Sequence, residues 1–437
     1  MMDRLDWIST QSESLRGDIS VPGDKSISHR AIMLASLADG VSRIRGFLES
    51  EDTRATARIF TQMGVRIEAT APGERVVHGV CLHGMRAPEG PLDCGNSGTA
   101  MRLLSGMLAG QAFESELTGD ASLSQRPMRR VTDPLARMGA AIETLPDGRP
   151  PLRIHGGKRL RGIEYVPPVA SAQVKSALLL AGLYAEGETR VTEPKPTRDY
   201  TERMLKAFGW PVAVKPGRVA LSGGHTLHAI DIEIPTDFSS AAFFLVAATL
   251  LPGSDLTLRN VGLNPRRTGL LHVLRAMGAD IAEQNAREVG GEPIADLVVR
   301  HAPLRGIDVP IKHVADMIDE FPILFVAAAL AEGSTTICSA AELRVKESDR
   351  IDVMVAGLRA LGARIQETSD GAVIEGGRLN GGVVDSHGDH RCAMAFTIAG
   401  TVADGEVGIR DCANVATSFP GFIDLARACG LAMYEAG

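Results

Sequence analysis

The sequence predicts an α/β protein made of two similar domains, each holding three copies of one βαβ-containing unit. Three observations carry this. Six apolar stretches close on related tetrapeptides: L-A-D-G at 37–40, M-L-A-G at 107–110, Y-A-E-G at 184–187, L-L-P-G at 250–253, L-A-E-G at 330–333 and V-A-D-G at 402–405. Six further helical stretches end on a non-polar residue and a glycine, at Met63-Gly64, Met138-Gly139, Phe208-Gly209, Met277-Gly278, Leu361-Gly362 and Cys429-Gly430, about 70 residues apart. Finally, Ile234-Pro235-Thr236-Asp237-Phe238-Ser239-Ser240 parallels Ile19-Ser20-Val21-Pro22-Gly23-Asp24-Lys25-Ser26. A period near 70 is too long for a solenoid repeat of roughly 20–50 residues, so each copy has its own sheet and three copies share a core. The domains are expected at 23–236 and at 1–22 with 237–437, hinged at Pro-containing corners around a cleft suited to a ligand.

Within each copy the order is a polar motif, an apolar helix, a β-like run and a second helix. The first helices are predicted at 31–40, 99–110, 174–187, 241–253, 322–333 and 392–405, with the closing Gly in the left-handed C′ position. After five of the second-helix glycines a β-like segment follows, such as Val65-Arg66-Ile67-Glu68.

Composition narrows the function. At 437 residues, 44% hydrophobic and 23% charged, the chain has ample material for such cores. A formal net charge of −7 argues against a nucleic-acid or anionic-membrane surface, so any basic site is a local pocket. The start Met1-Met2-Asp3-Arg4-Leu5-Asp6 reads as no signal peptide, and no apolar run approaches the roughly 20 residues of a membrane span. Cys81, Cys94, Cys338, Cys392, Cys412 and Cys429 are scattered without a C-x-x-C pair, as suits small buried residues in a reducing cytoplasm.

The polar motifs carry the chemistry. Lys25, Ser26 and Arg30 open copy one at a predicted helix start, where unpaired N–H groups and the macrodipole favour an anion. The pattern G-x-x-x-x-G-K-[ST] is absent, which argues against a nucleotide P-loop. Copy two brings Cys94-Gly95-Asn96-Ser97-Gly98-Thr99-Ala100-Met101-Arg102, whose glycines let backbone N–H groups approach a phosphate. It also brings Arg126, able to grip a carboxylate or phosphate bidentately, or else simply to close a turn. Copy three offers Ser171, Gln173 and, before another helix, Arg198. Copy four, with Asp237, Ser239 and Ser240, has no basic residue in its motif and reads as structural. Copy five holds Asp319, which as an acid at a helix start is by default a cap, and Arg344-Val345-Lys346-Glu347-Ser348-Asp349-Arg350, which could equally be a solvated salt-bridged face. In copy six, Ser386-His387-Gly388-Asp389-His390-Arg391 hints at a metal, yet three consecutive donors in one tight loop seldom face one ion. The joint site is cationic, with Asp319 and Glu347 as its only obvious acids. That combination implies group transfer between anionic small molecules without a metal.

The motifs G-D-K-S-I-S-H-R, G-N-S-G-T-A-M-R, Q-R-P-M, S-A-Q-V-K-S-A-L-L-L-A-G, L-R-V-K-E-S-D-R and D-H-R, in this order over essentially the whole chain, resemble the EPSP synthase family of enolpyruvyl transferases. The resemblance implies two domains of three βαβαββ units each, an inside-out α/β barrel arrangement, closing over the substrates. It implies transfer of the enolpyruvyl group of phosphoenolpyruvate to the 5-hydroxyl of shikimate 3-phosphate, with no cofactor and no metal. By the same resemblance Lys25, Ser26, Arg30, Ser171, Ala172, Gln173, Arg198, Asp319 and Lys346 contact shikimate 3-phosphate. Lys25, Asn96, Gly98, Arg126, Gln173, Arg350, His390 and Arg391 contact phosphoenolpyruvate. Asp319 is the expected base and Glu347 the expected acid, with Lys25 beside both substrates. A monomer acting on small molecules is expected.

The chain departs from some members in having no lysine before Thr417-Ser418-Phe419-Pro420. Two rivals are a sister enzyme acting on UDP-N-acetylglucosamine, which has Lys-Asn where this chain has Lys25-Ser26, and a non-catalytic binding protein, which would have no need of Asp319 and Glu347.

Overall fold

Six helices have almost no polar face, and a helix apolar on every side must be buried on every side. The computed structural model, which describes residues 5–436, places three of them in each of two units. The N-terminal unit comprises Gly23–Ile234 with Val289–Gly291, and the C-terminal unit comprises the residues up to Pro22, Pro235–Glu288 and the chain from Glu292 on. The N-terminal unit buries Lys25–Leu37, Gly98–Leu108 and Ala172–Gly182, and the C-terminal unit buries Phe238–Leu250, Phe321–Ala329 and His390–Gly400. Each trio forms the middle of its own hydrophobic cluster. Small residues let them meet backbone to backbone: a Cβ on Gly106 would lie 2.0 Å from the carbonyl oxygen of Ala177.

Sheets and amphipathic second helices cover these trios. In copy one the strand order is Ile232–Glu233, Val41–Arg45, Glu74–His78, Arg66–Ala71. The first pair is parallel, with Ile232 opposite Ile44, and the other two are antiparallel. Copies two and three repeat this order with strands from their own stretch of chain. In the C-terminal unit the N-terminal strands complete two sheets: Arg16–Ile19 pairs parallel to Asp255–Gly262, and Trp7–Ser9 lies between Asp404–Arg410 and Met433–Glu435. Copy five keeps three strands, with isolated parallel bridges from Arg305 and Asp308 at its edge.

The second-helix glycines are where the pattern puts them. Gly64, Gly139, Gly209, Gly278, Gly362 and Gly430 all have φ between +84° and +108°, directly after the caps Met63, Met138, Phe208, Met277, Leu361 and Cys429. A strand follows all six, the last being Met433–Glu435.

The first helices are displaced toward their N-termini relative to the sequence expectation. They begin at Lys25, Gly98, Ala172, Phe238, Phe321 and His390 and stop before the closing glycines, so Gly40, Gly187, Gly253 and Gly333 lie in the following turns and Gly405 in the strand Asp404–Arg410. Gly110 does not adopt a positive φ at all. The physical reason is capping: Asp24, Ser97, Ser171, Asp237 and Asp389 each accept hydrogen bonds from N–H groups two or three residues on, which draws the polar motif into the first turn. Among the described residues no helix is long and apolar enough to cross a membrane, and all six cysteines are unpaired thiols.

Candidate active site

Because the motifs form first turns, their side chains gather at helix N-termini. In the N-terminal unit three such ends are stitched together by polar side chains. His29 is fully buried, with Nδ1 2.8 Å from Thr56 Oγ1 and Nε2 3.4 Å from Ser97 Oγ. Burial, and then the charges of Lys25 and Arg30, hold its ring well below the ordinary imidazole range, so it serves as a neutral strut. Arg30 donates through Nε to Thr201 Oγ1 (2.7 Å), through Nη2 to Ser176 Oγ (2.9 Å) and through Nη1 to the Ser26 carbonyl (2.9 Å). Its burial, aided by the like charge of Arg198 and opposed by Glu202 and Asp24, lowers its pKa to about 10. Lys25 Nζ lies 2.5 Å from Asp52 Oδ2. Arg198 immediately precedes Asp199, the N-cap of Tyr200–Ala207.

A second group surrounds Gly98, the first residue of its helix. Arg126 Nη2 donates to Asn96 Oδ1 (2.8 Å), and Asn96 Nδ2 donates to Asp120 Oδ2 (2.7 Å). Arg102 Nη1 donates to Gln173 Oε1 (2.7 Å), whose Nε2 donates to Thr99 Oγ1 (3.0 Å). Gln173 follows Ala172 and the capping Ser171. Two guanidinium groups beside a glycine at a helix start make a place for an anion with no side chain in the way.

The C-terminal unit holds the acids. Asp319 does not cap a helix: Glu320 is the N-cap residue, and its side chain makes no cap hydrogen bond. The Asp319 carboxylate instead faces cations, with Oδ2 3.4 Å from Arg267 Nη1 and Oδ1 3.5 Å from Arg350 Nη1 and 3.6 Å from Lys346 Nζ. Arg350, the first residue of Arg350–Ala360, also reaches Glu347 Oε2 through Nη2 (2.6 Å) and Asp389 Oδ2 through Nε (2.8 Å). Burial works against its charge, but Asp389, Glu347 and Asp319 outweigh it and hold the guanidinium well above its usual range. Burial lowers the Lys346 ammonium pKa against the pull of Asp319 and Glu342. Arg391 Nη1 donates to the Asp319 carbonyl (3.1 Å), and His390 Nε2 is 3.1 Å from Ser418 Oγ.

The charged run 344–350 therefore divides. Arg344 is the salt-bridged surface residue, held by Asp349 and Glu367 at 2.8 Å each, while Lys346 and Arg350 face Asp319 and Arg350 also holds Glu347. Asp389 is spent on Arg350 and on capping Arg391 and Cys392, and among the described residues no group of three or more His, Cys, Asp or Glu could hold a metal ion.

The model of the family described as EPSP synthase (3-phosphoshikimate 1-carboxyvinyltransferase) matches residues 9–425. The chain belongs to the EPSP synthase family. A 3-phosphoshikimate 1-carboxyvinyltransferase of Xanthomonas campestris pv. campestris (strain B100) is 65% identical over 427 residues, 98% of each chain. One from Xanthomonas euvesicatoria pv. vesicatoria is 63% identical over 431 residues, 99% of this chain and 98% of that one. Among solved structures, an EPSP synthase from Acinetobacter baumannii is 51% identical with a TM-score of 0.90, covering 99% of this chain and 100% of that one. The enolpyruvyl transferase NikO from Streptomyces tendae shares the fold (TM-score 0.79, 99% of both chains) at 16% identity. The two similar units of α/β repeats are the architecture of this family.

Of the residues singled out from the sequence, Lys25, Ser26, Arg30, Asn96, Gly98, Arg126, Ser171, Ala172, Gln173 and Arg198 belong to the N-terminal unit, and Asp319, Lys346, Glu347, Arg350, His390 and Arg391 to the C-terminal unit. Asp52, Arg102, Arg267 and Glu320 are among the polar partners that the sequence motifs do not single out. Arg102 stands in the quoted G-N-S-G-T-A-M-R motif, one helical turn after Gly98, and that spacing could have flagged it. The motif of copy four has no basic residue, yet Arg267 of the same copy contacts Asp319. That cation comes from Asn264-Pro265-Arg266-Arg267-Thr268, ahead of the second helix rather than the first.

Proposed function

We propose that this chain transfers the enolpyruvyl group of phosphoenolpyruvate to the 5-hydroxyl of shikimate 3-phosphate, releasing phosphate and forming 5-enolpyruvylshikimate 3-phosphate, the sixth step toward chorismate and the aromatic amino acids. The observation that carries the reading is Arg350: one buried guanidinium touches both carboxylates, Asp319 through Nη1 and Glu347 through Nη2. A binding protein has no need of two acids fixed among cations, whereas adding an alcohol across an enol phosphate needs a proton supplied to carbon and another taken from oxygen.

In this reading Lys25, Ser26, Arg30, Ser171, Ala172, Gln173, Arg198 and Lys346 hold shikimate 3-phosphate, and Lys25, Asn96, Gly98, Arg126, Gln173, Arg350, His390 and Arg391 hold phosphoenolpyruvate. Glu347 gives its proton to the enol methylene while the 5-oxygen bonds to C2 and Asp319 takes the hydroxyl proton. The Glu347 carboxylate then takes a proton back from the methyl group of the tetrahedral intermediate as its C–O bond to phosphate breaks, which restores the enol double bond, and the proton held by Asp319 passes to the departing phosphate. Lys25 and the arginines stabilise the charge on the departing phosphate. Glu347 is 26% exposed, which leaves its carboxyl open to exchange with water. The reaction is assigned to the cytoplasm and to a monomer; the scattered unpaired cysteines fit a reducing compartment.

The deciding measurement is phosphate release from phosphoenolpyruvate with shikimate 3-phosphate or UDP-N-acetylglucosamine as acceptor. Release with shikimate 3-phosphate alone is expected, and release with neither acceptor would return the fold to a binding role.

A further inference from the structure

Arg267 is 3% exposed and lies among four acidic or hydroxyl side chains. Its Nη1 is 3.4 Å from Asp319 Oδ2. Its Nη2 is hydrogen-bonded to Ser239 Oγ, 3.4 Å from Asp237 Oδ1 and 3.9 Å from Glu320 Oε1. Ser239 Oγ in turn donates to Glu320 Oε1, and Glu320 is 1% exposed. Asp237 is itself fixed as the cap of Phe238–Leu250 through the N–H groups of Ser239 and Ser240. The guanidinium is thus anchored to one helix start on one side and aimed at the expected base on the other.

We infer that Arg267 is a positioning residue for Asp319: it fixes the carboxylate from behind through Oδ2 and helps keep it ionised, so that Asp319 can take the hydroxyl proton. The inference rests on the reading of Asp319 as the base. Also facing Asp319 are Lys346 and Arg350 at Oδ1, Arg391 at the carbonyl, Glu320 next in the chain, and Glu347 through the shared Arg350. Lys346, Arg350 and Arg391 are all assigned to substrates. Arg267 has no substrate assigned to it, and a planar fork held on both arms fixes an oxygen better than a rotating ammonium does. Losing a cation at this range raises a carboxylate's pKa, so the base would remain protonated to higher pH.

The test is Arg267→Gln, Arg267→Lys, Asp319→Asn and the double variant Arg267→Gln with Asp319→Asn, each followed by a thermal melt, steady-state kinetics and the pH profile of kcat. Arg267→Gln is expected to lower kcat about tenfold or more with both KM values within about threefold, and to move the acid limb up by about one pH unit. Arg267→Lys should recover part of both effects. In the Asp319→Asn background, Arg267→Gln should cost less than about twofold. If Arg267→Gln melts below the assay temperature, Arg267→Lys carries the same comparison at smaller amplitude. A folded Arg267 variant with normal kcat and an unmoved acid limb, beside a crippled Asp319→Asn, overturns the inference alone. A near-normal rate in Asp319→Asn overturns the base assignment and the inference together.

Discussion

Replacing Gly98 by alanine separates two things the site asks of that position. A Cβ there would lie 2.9 Å from Arg102 Nη1 and 3.3 Å from Arg126 Nη1. The backbone accepts alanine, because Gly98 does not use a positive φ and stands in the first turn of a helix, where alanine is the better former. Both neighbours are the ends of flexible side chains, so they yield rather than unfold the unit. Arg102 must retreat by a few tenths of an ångström, which strains its 2.7 Å bond to Gln173, and Arg126 is nudged against its 2.8 Å bond to Asn96. Hydrogen bonds to charged groups contribute about 1.5–3 kcal/mol. Distorting two without breaking either gives about 1.4 kcal/mol, or tenfold in affinity. Gly98→Ala is therefore expected to raise the KM for phosphoenolpyruvate about tenfold, to leave that for shikimate 3-phosphate within about twofold, and to keep or slightly raise the Tm. Initial rates with each substrate varied in turn, plus one melt, decide it. An unchanged KM for phosphoenolpyruvate would refute the placing of that substrate over Gly98.

Asp319→Asn and Glu347→Gln should each lower kcat about 100-fold or more, on the order of 3 kcal/mol, with smaller changes in substrate affinity; near-normal kcat in both would remove their acid and base roles. Lys175 is buried between Glu202 (2.7 Å) and Glu193 (3.0 Å), so Lys175→Met leaves two acids uncompensated, at about 3–5 kcal/mol. That predicts a Tm lower by on the order of 10 °C in calorimetry, and a change under about 2 °C would show the triad to be dispensable. His29 gives a signed pH dependence. Its folded pKa is depressed, so below the ordinary value of about 6.5 the unfolded chain binds a proton that the native one refuses, and stability falls as pH falls at up to about 1.4 kcal/mol per unit. Urea melts at pH 7.5 and 5.5 should show a loss about 1 kcal/mol smaller in His29→Asn, and equal losses would mean that the native ring protonates.

What could be read from the sequence was what one repeat writes locally. The second-helix glycines carry their own instruction, since a residue that must turn left-handed after a helix is almost always Gly, and all six do so. That Lys25, Gln173 and Arg391 stand in the first turns of their helices was legible because equivalent positions recur. The starts themselves were misplaced because Lys25-Ser26 or His390-Arg391 look like loop when only hydrophobicity is followed; the capping bonds of Asp24 and Asp389 are what wind them into the helix. Partners such as Asp52 for Lys25, 27 positions away, or Arg267 for Asp319, 52 positions away, leave no local trace. Asp52 reaches Lys25 because the second helix of copy one packs on the first, and Arg267 reaches Asp319 because copy four packs on copy five; neither contact is written in local sequence.

The same repeat logic explains where the expected base sits. At five of the six first helices the N-cap side chain is committed to the helix: Asp24, Ser97, Ser171, Asp237 and Asp389 all accept from the first turn. Such an oxygen is immobilised, and its carboxylate or hydroxyl is poorly placed for proton transfer. Copy five alone breaks the rule. Glu320 stands at the cap position yet turns to Ser239, Arg267 and Arg391, and the preceding turn leaves Asp319 facing Lys346, Arg350 and Arg267. Forgoing the cap costs the helix about 1 kcal/mol, and Pro322 in the first turn offsets part of it, since its missing N–H needs no acceptor and its fixed φ suits a helix start. Restoring a cap, as Glu320→Asp would attempt, should therefore make the helix no less stable while drawing the carboxylate one methylene back from Arg267. A variant with an equal or higher Tm and a lower kcat is the expected result, and an unchanged kcat would mean that the broken cap has no bearing on the base.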